Sequence, residues 1–298
     1  MFTNSPGTGI YRYGGSIMSS NTNNKIINRN AISFITRFAL PVIVVIIAAR
    51  LDKWVGIAAL LLYLLIMIYV SRARIYTLIG TRQYGLGRMD EAIRWFGRAY
   101  ATKRSSVRSA ANYAYLLLKN ADLQRSEEVL RKALKEHPDH QELPYIKSIM
   151  ALVLWKKGEL DQAVEMLEEV IPIFKTTSVY GSLGYMLIQK GDLEKALEFN
   201  LEAFDFNSRD NIINDNLGQN YLLLGEYDKA KEVYDKLLAK APAFPEPYYN
   251  YGLLLEKTGS REEALESMRK ALNHKFTFLS TITKEEVEAA ISRLESAE

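Results

Sequence analysis

The sequence predicts an all-α protein in three parts: a pair of apolar helices, an array of about six helix pairs, and a closing helix. Three observations carry this. Two apolar runs, 31–49 and 54–70, lie close together near the N-terminus. Beyond them, small residues recur on one helix face at Ala92, Ser126, Ala163, Ala196, Ala230 and Ala264, with spacings of 34, 37, 33, 34 and 34. A final segment, 283–298, opens with a helix-start signature and carries one apolar stripe.

Residues 1–30 are rich in Ser, Asn, Gly and Thr and poor in aliphatic residues, so they predict a disordered tail. They do not read as a signal peptide, because their charged part adjoins the apolar run and a second run follows. The run 31–49 (AISFITRFALPVIVVIIAA) has 19 residues and one charge, Arg37; the run 54–70 (WVGIAALLLYLLIMIYV) has 17 and none. A membrane span takes ~20 residues, with ~17 at the short end, so both predict transmembrane helices. Arg37 lies near the start of its span, where it reaches the headgroups. Pro41 predicts a kink. Trp54 and Tyr69 stand at opposite ends of the second span, as interfacial anchors do. The loop 50–53 is too short for anything but a tight antiparallel hairpin over 31–70.

Charge sets the expected orientation. Six basic residues and one acid precede Ser71, while the rest of the chain carries 32 basic and 34 acidic residues. Near the membrane, Lys25, Arg29, Arg37, Arg72, Arg74, Arg82 and Arg88 lie on the terminal sides, against Arg50 and Lys53 in the loop. Basic flanks stay on the cytoplasmic side, which predicts cytoplasmic termini and a cytoplasmic array. Nothing from 70 to 84 breaks a helix, so the second span is expected to continue into the array and hold it at a fixed angle to the bilayer.

The repeating unit is clearest at 211–244. Leu217, Gly218 and Tyr221 share a face of one helix, Gly225 supplies a turn, and Ala230, Tyr234 and Leu237 share a face of the next, which Pro242 stops. Small Gly218 and Ala230 allow a close crossing. The units run 73–106, 107–140, 144–177, 177–210, 211–244 and 245–278. In the second, Ala121 stands where the others have the turn glycine, and Ser126 replaces the alanine. Pro172 predicts an early end to the second helix of the third. At 283–298, Thr283 and Glu286 form a capping box, and Val287, Ile291 and Leu294 form the stripe.

This spacing and residue set resemble the tetratricopeptide repeat. The resemblance covers about three quarters of the chain. It implies a right-handed α-solenoid with a concave groove, closed by a polar-backed capping helix. It implies a scaffold rather than a chemistry.

Composition agrees with a non-enzymatic reading. No cysteine is present, which excludes disulfides and thiolate metal sites. There is no phosphate loop, HExxH or nucleophile motif, and the near-neutral array lacks a nucleic-acid footprint. The pair His137 and His140 lacks a third ligand, so neither metal nor cofactor is expected. The resemblance implies that first-helix residues facing away from the second helix line the groove. These include Tyr84, Arg108, Asn112, Tyr115, Trp155, Tyr185, Asn216, Gln219, Tyr249 and Asn250. Rings with amides between them suit a peptide or helix of a partner protein. A carboxylate clamp is not expected, since Ser148, Ser182, Tyr145, Ser178 and Ile212 stand where it would need basic residues. The expected function is a membrane-anchored cytosolic scaffold. The alternatives are a peptide-sensing receptor signalling through the hairpin and an assembly factor for an integral membrane complex.

Overall fold

A computed structural model describes residues 36, 39–102 and 104–296 of the 298-residue chain. The expected tail, 1–30, and part of the first expected span lie outside them. The described residues form fourteen helices and no strand. The chain divides into two compact units, Met1–Arg72 and Ala73–Glu298.

In the first unit, α1 is Leu40–Leu51, and α2 begins at Lys53 and runs unbroken to Gly85. The expected four-residue loop shrinks to Asp52. Its backbone is extended, its N–H closes α1 on the Ala48 carbonyl, and its carboxylate accepts from the N–H groups of Trp54 (2.7 Å) and Val55 (3.2 Å). One residue therefore caps both helices. Gly56 is buried against Ala49, where a Cβ would sit 2.5 Å from the Ala49 backbone.

Pro41 lies in the first turn of α1, which starts at Leu40. Among the described residues, only α2 is long and apolar enough to cross a membrane, with a mean hydropathy of 2.3 over its best window. Helix α1 has 12 residues and covers ~18 Å, against the ~30 Å of a bilayer core.

In the second unit, the last turns of α2 pair with α3 (Met89–Ala101). Five further pairs follow: α4 (Val107–Lys119) with α5 (Leu123–Glu136), α6 (Leu143–Lys156) with α7 (Leu160–Val170), α8 (Thr177–Lys190) with α9 (Leu193–Phe206), α10 (Asn211–Leu223) with α11 (Tyr227–Leu238), and α12 (Glu246–Lys257) with α13 (Arg261–Leu272). Helix α14 (Lys284–Ser296) packs on α13. Each pair buries only part of its apolar surface within itself and needs its neighbour to bury the rest.

The crossing inside each pair is set by one small residue facing one large one. Ala92, Ser126, Ala163, Ala196, Ala230 and Ala264 are all fully buried. Four residues further along, Phe96, Tyr234 and Met268 press on Gly80, Gly218 and Gly252 of the first helix. A Cβ at those glycines would meet them at 2.7, 2.7 and 2.6 Å. In the second pair Ser126 spends its extra oxygen well, donating to the Ala114 carbonyl at 2.8 Å.

The turns between paired helices place Gly87, Gly158, Gly191, Gly225 and Gly259 at φ between 74° and 89°. Ala121 occupies the same position at φ 62°. An L-residue there costs ~1–2 kcal/mol. Ala121→Gly is therefore expected to stabilise the array by about 1 kcal/mol, read as a shifted denaturation midpoint. Helix α7 is the shortest of the array and ends at Val170, ahead of Pro172. At α14 the capping box is reciprocal: the Thr283 N–H donates to Glu286 at 2.6 Å, and the Glu286 N–H donates to Thr283 Oγ1 at 3.1 Å. Val287, Ile291 and Leu294 are buried.

A candidate partner-binding groove

The first helices of successive pairs pack side by side, α4 on α6, α6 on α8, α8 on α10 and α10 on α12. Their faces away from the second helices form a continuous surface with two differently furnished halves.

The half near α4 is open. Lys119 donates to the Tyr84 hydroxyl at 3.0 Å, and its ammonium lies 5.3 Å from the Tyr84 ring and 5.7 Å from the Tyr115 ring. Tyr84 is 38% exposed, while Tyr115 is half-buried against the core, and that burial pushes its hydroxyl pKa up. Arg108 pairs with Glu142 at 2.7 Å and covers the Tyr145 ring at 5.1 Å. Tyr145 in turn donates to Asn112 Oδ1 at 2.8 Å. Each polar group is engaged, yet the rings keep exposed faces.

The half near α8 is occupied by the chain itself. The connector 273–283 between α13 and α14 turns back across the first helices. A hydrogen-bonded turn, closed from the Ser280 N–H to the Thr277 carbonyl at 3.0 Å, places Phe278 and Leu279 at its tip. Both pack, half-buried, on the core of the earlier repeats. Lys156 donates to the Ser280 carbonyl at 2.9 Å and lies between the rings of Trp155 (4.0 Å) and Phe278 (5.5 Å). Burial pushes its ammonium pKa down, partly offset by the charge of Glu246. Tyr185 donates to the Thr281 carbonyl at 3.4 Å, and the Thr281 N–H donates to Glu246 at 2.9 Å. Trp155 meets Tyr185 edge-on at 5.7 Å and donates to Gln189 at 2.7 Å.

Of the predicted residues, Tyr84, Arg108, Asn112 and Tyr115 thus gather in the open half, and Trp155 and Tyr185 in the occupied half. Gln219 is half-buried, and Tyr249 packs on the last repeat and capping helix. Asn216 and Asn250 need correction. They are 3% and 2% exposed, and their amides point into the array: Asn216 donates to the Gly181 carbonyl (2.7 Å) and Asn250 to the Asp215 carboxyl (3.1 Å). A polar residue on the first helix can reach the preceding first helix instead of the groove, because adjacent first helices touch. Lys156, Glu246 and the connector escaped the sequence reading. The available signal was FTFLST, an apolar stretch where a connector is ordinarily polar. As for the two histidines, His140 Nδ1 accepts from the Glu142 N–H at 3.1 Å, and no group of three or more potential metal ligands occurs among the described residues.

The chain is similar to a TPR repeat-containing protein of Methanocaldococcus jannaschii, 27% identical over 158 residues, which are 53% of this chain and 27% of that protein. It is also similar to mouse aspartyl/asparaginyl beta-hydroxylase, 26% identical over 187 residues, 62% of this chain and 22% of that protein. The chain spans about a quarter of the length of these relatives. Among solved structures, a tetratricopeptide repeat protein of Parabacteroides merdae superposes with a TM-score of 0.61 at 14% identity, covering 84% of this chain and 96% of that one. The array therefore has the fold of these proteins. The profile of the tetratricopeptide repeat matches residues 82–275, and with two thirds of its length in that match the chain belongs to the tetratricopeptide repeat family.

Proposed function

We propose that this chain is a membrane-anchored scaffold that binds a peptide or helix of a partner protein along the face of its first helices. The fold suggests a protein-interaction role, and the observation that carries the groove reading is its furnishing. Tyr84, Tyr115, Trp155 and Tyr185 stand on successive first helices, with Lys119 beside the first two rings and Lys156 beside Trp155. Rings of this kind supply buried area to an incoming chain at little conformational cost.

The N-terminal helices support the anchor. Large apolar side chains from Leu40 to Val70 are mostly exposed, Leu51 by 81% and Trp54 by 67%. A soluble unit does not leave such a surface to water. At one end of the apolar stretch Lys53 lies 5.5 Å from the Trp54 ring, and at the other Arg72 lies 3.9 Å from the Tyr69 ring. Those pairs stand ~28 Å apart along α2, close to the thickness of a bilayer core. In this reading the two apolar runs, 31–49 and 54–70, form a two-span hairpin. The basic flanks place the termini and the array on the cytoplasmic side.

A photo-crosslinker at Tyr115 in native membranes tests this. It is expected to yield one protein adduct, and binding of that protein, once purified, is expected to weaken by ~1–2 kcal/mol in Tyr115→Ala with helicity unchanged. Equal crosslinking from Glu128, on the opposite helix layer, overturns the groove. A chain released from membranes by carbonate overturns the anchor.

A further inference from the structure

The connector 273–283 is the longest between consecutive helices of the array, at eleven residues. Joining α13 to α14 does not require that length, since the two helices pack directly on one another. The extra residues reach back to α6 and α8. What they meet there has the form of peptide recognition. Three contacts engage only the main chain of the connector: Lys156 to the Ser280 carbonyl, Tyr185 to the Thr281 carbonyl, and Glu246 from the Thr281 N–H. Two side chains, Phe278 and Leu279, supply the apolar anchor. Main-chain bonds give affinity without regard to sequence, and pockets for the anchors give the selectivity. The anchors are only half-buried, whereas the core residues of the array are 0–8% exposed. They sit on the groove without being built into the core.

We propose, resting on the groove reading above, that the connector is a resident pseudo-ligand and that the partner binds by taking its place. The partner segment would then be a short apolar turn of the same chemistry. It presents an aromatic residue followed by an aliphatic one, with free main-chain carbonyls directly after them for Lys156 and Tyr185. The open half, with Tyr84, Tyr115 and Arg108, receives the flanking residues of that segment before the connector leaves. Tyr84 is exposed there in the closed state.

The test uses the full chain in detergent micelles and a fluorescein-labelled ten-residue peptide of sequence 274–283. Occupancy in cis lowers the apparent affinity in trans by the fraction of chains whose groove is free. Phe278→Ala/Leu279→Ala is therefore expected to bind the peptide at least tenfold more tightly than the unmodified chain. Adding Lys156→Met should reverse at least tenfold of that gain. Equal affinity of the double variant and the unmodified chain overturns the proposal. Should the double variant lose helicity, the unmodified chain decides the matter by hydrogen exchange. Excess peptide is expected to speed exchange of amides 276–282, and unchanged exchange at saturating peptide overturns the proposal. If the peptide results fail while Tyr115→Ala still weakens the crosslinked partner, the pseudo-ligand is wrong and the groove stands. If both fail, the groove reading falls as well.

Discussion

Asp215→Asn is expected to stabilise the array above neutral pH and to leave it nearly unchanged below pH 4. Asp215 is buried on α10 in a polar layer that interrupts the apolar core of the later repeats. Asn200 donates to Asn220 (3.0 Å), Asn220 to the Leu193 carbonyl (2.9 Å) and Asn250 to Asp215 (3.1 Å). Burial pushes the Asp215 carboxyl up to about 8, and the nearby charge of Glu246 adds to the shift. The hydrogen bond from Asn250 acts the other way without offsetting it. Its ordinary value is 3.8, so between pH 4 and 8 the folded state holds a proton that the unfolded state has released. Stability then falls as pH rises through that window and levels off above it. The full penalty is on the order of 5 kcal/mol. Asparagine keeps the acceptor for Asn250 and carries no proton to lose. Chemical denaturation of both chains from pH 4 to 9 is expected to show the wild type losing stability relative to the variant across that range. Parallel pH profiles would show that Asp215 is solvated or paired.

Tyr234→Ala is expected to unfold the C-terminal repeats while the earlier ones stay folded. The ring is fully buried, its face fills the space left by Gly218, and its hydroxyl donates to the Asp215 carbonyl at 3.3 Å. Removing a buried aromatic ring costs ~3–5 kcal/mol, because the surroundings close only partly over the cavity. The glycine opposite makes collapse harder still, since it has no side chain to move in. In a repeat array stability is carried by each unit and its neighbours. The loss should therefore stay local, appearing in hydrogen exchange as fast amides in α10 to α14 and protected amides in α4 to α7. Uniform loss of protection along the chain would mean that the array unfolds as one cooperative block.

Much of the array was legible in the sequence because its determinants repeat. The pairing of a small residue with a large one inside each helix pair is a contact between near neighbours in the chain, so it leaves a period of about 34 residues. The turn position was legible for the same reason, including the alanine that occupies it at residue 121. The capping box of α14 spans four residues and needed no tertiary context. The family followed from these features.

What the period does not encode was decided only in three dimensions. Asn216 and Asn250 occupy groove-like positions in the helical pattern, but their amides turn inward. That choice depends on how far each first helix is rotated against the one before it. Asn200 shows the same limit: it stands where other second helices carry the large apolar residue and begins the polar layer. The contact of Lys156 with Ser280 joins residues 124 apart in the chain. A single contact at that separation has no periodic trace, and the segment that makes it lies beyond the last repeat. The sequence by itself determined the helices, their pairing and their order, because those are local and repeated. The tertiary structure alone decided which part of the groove is open and which part the chain fills, because that contact occurs once, between distant segments.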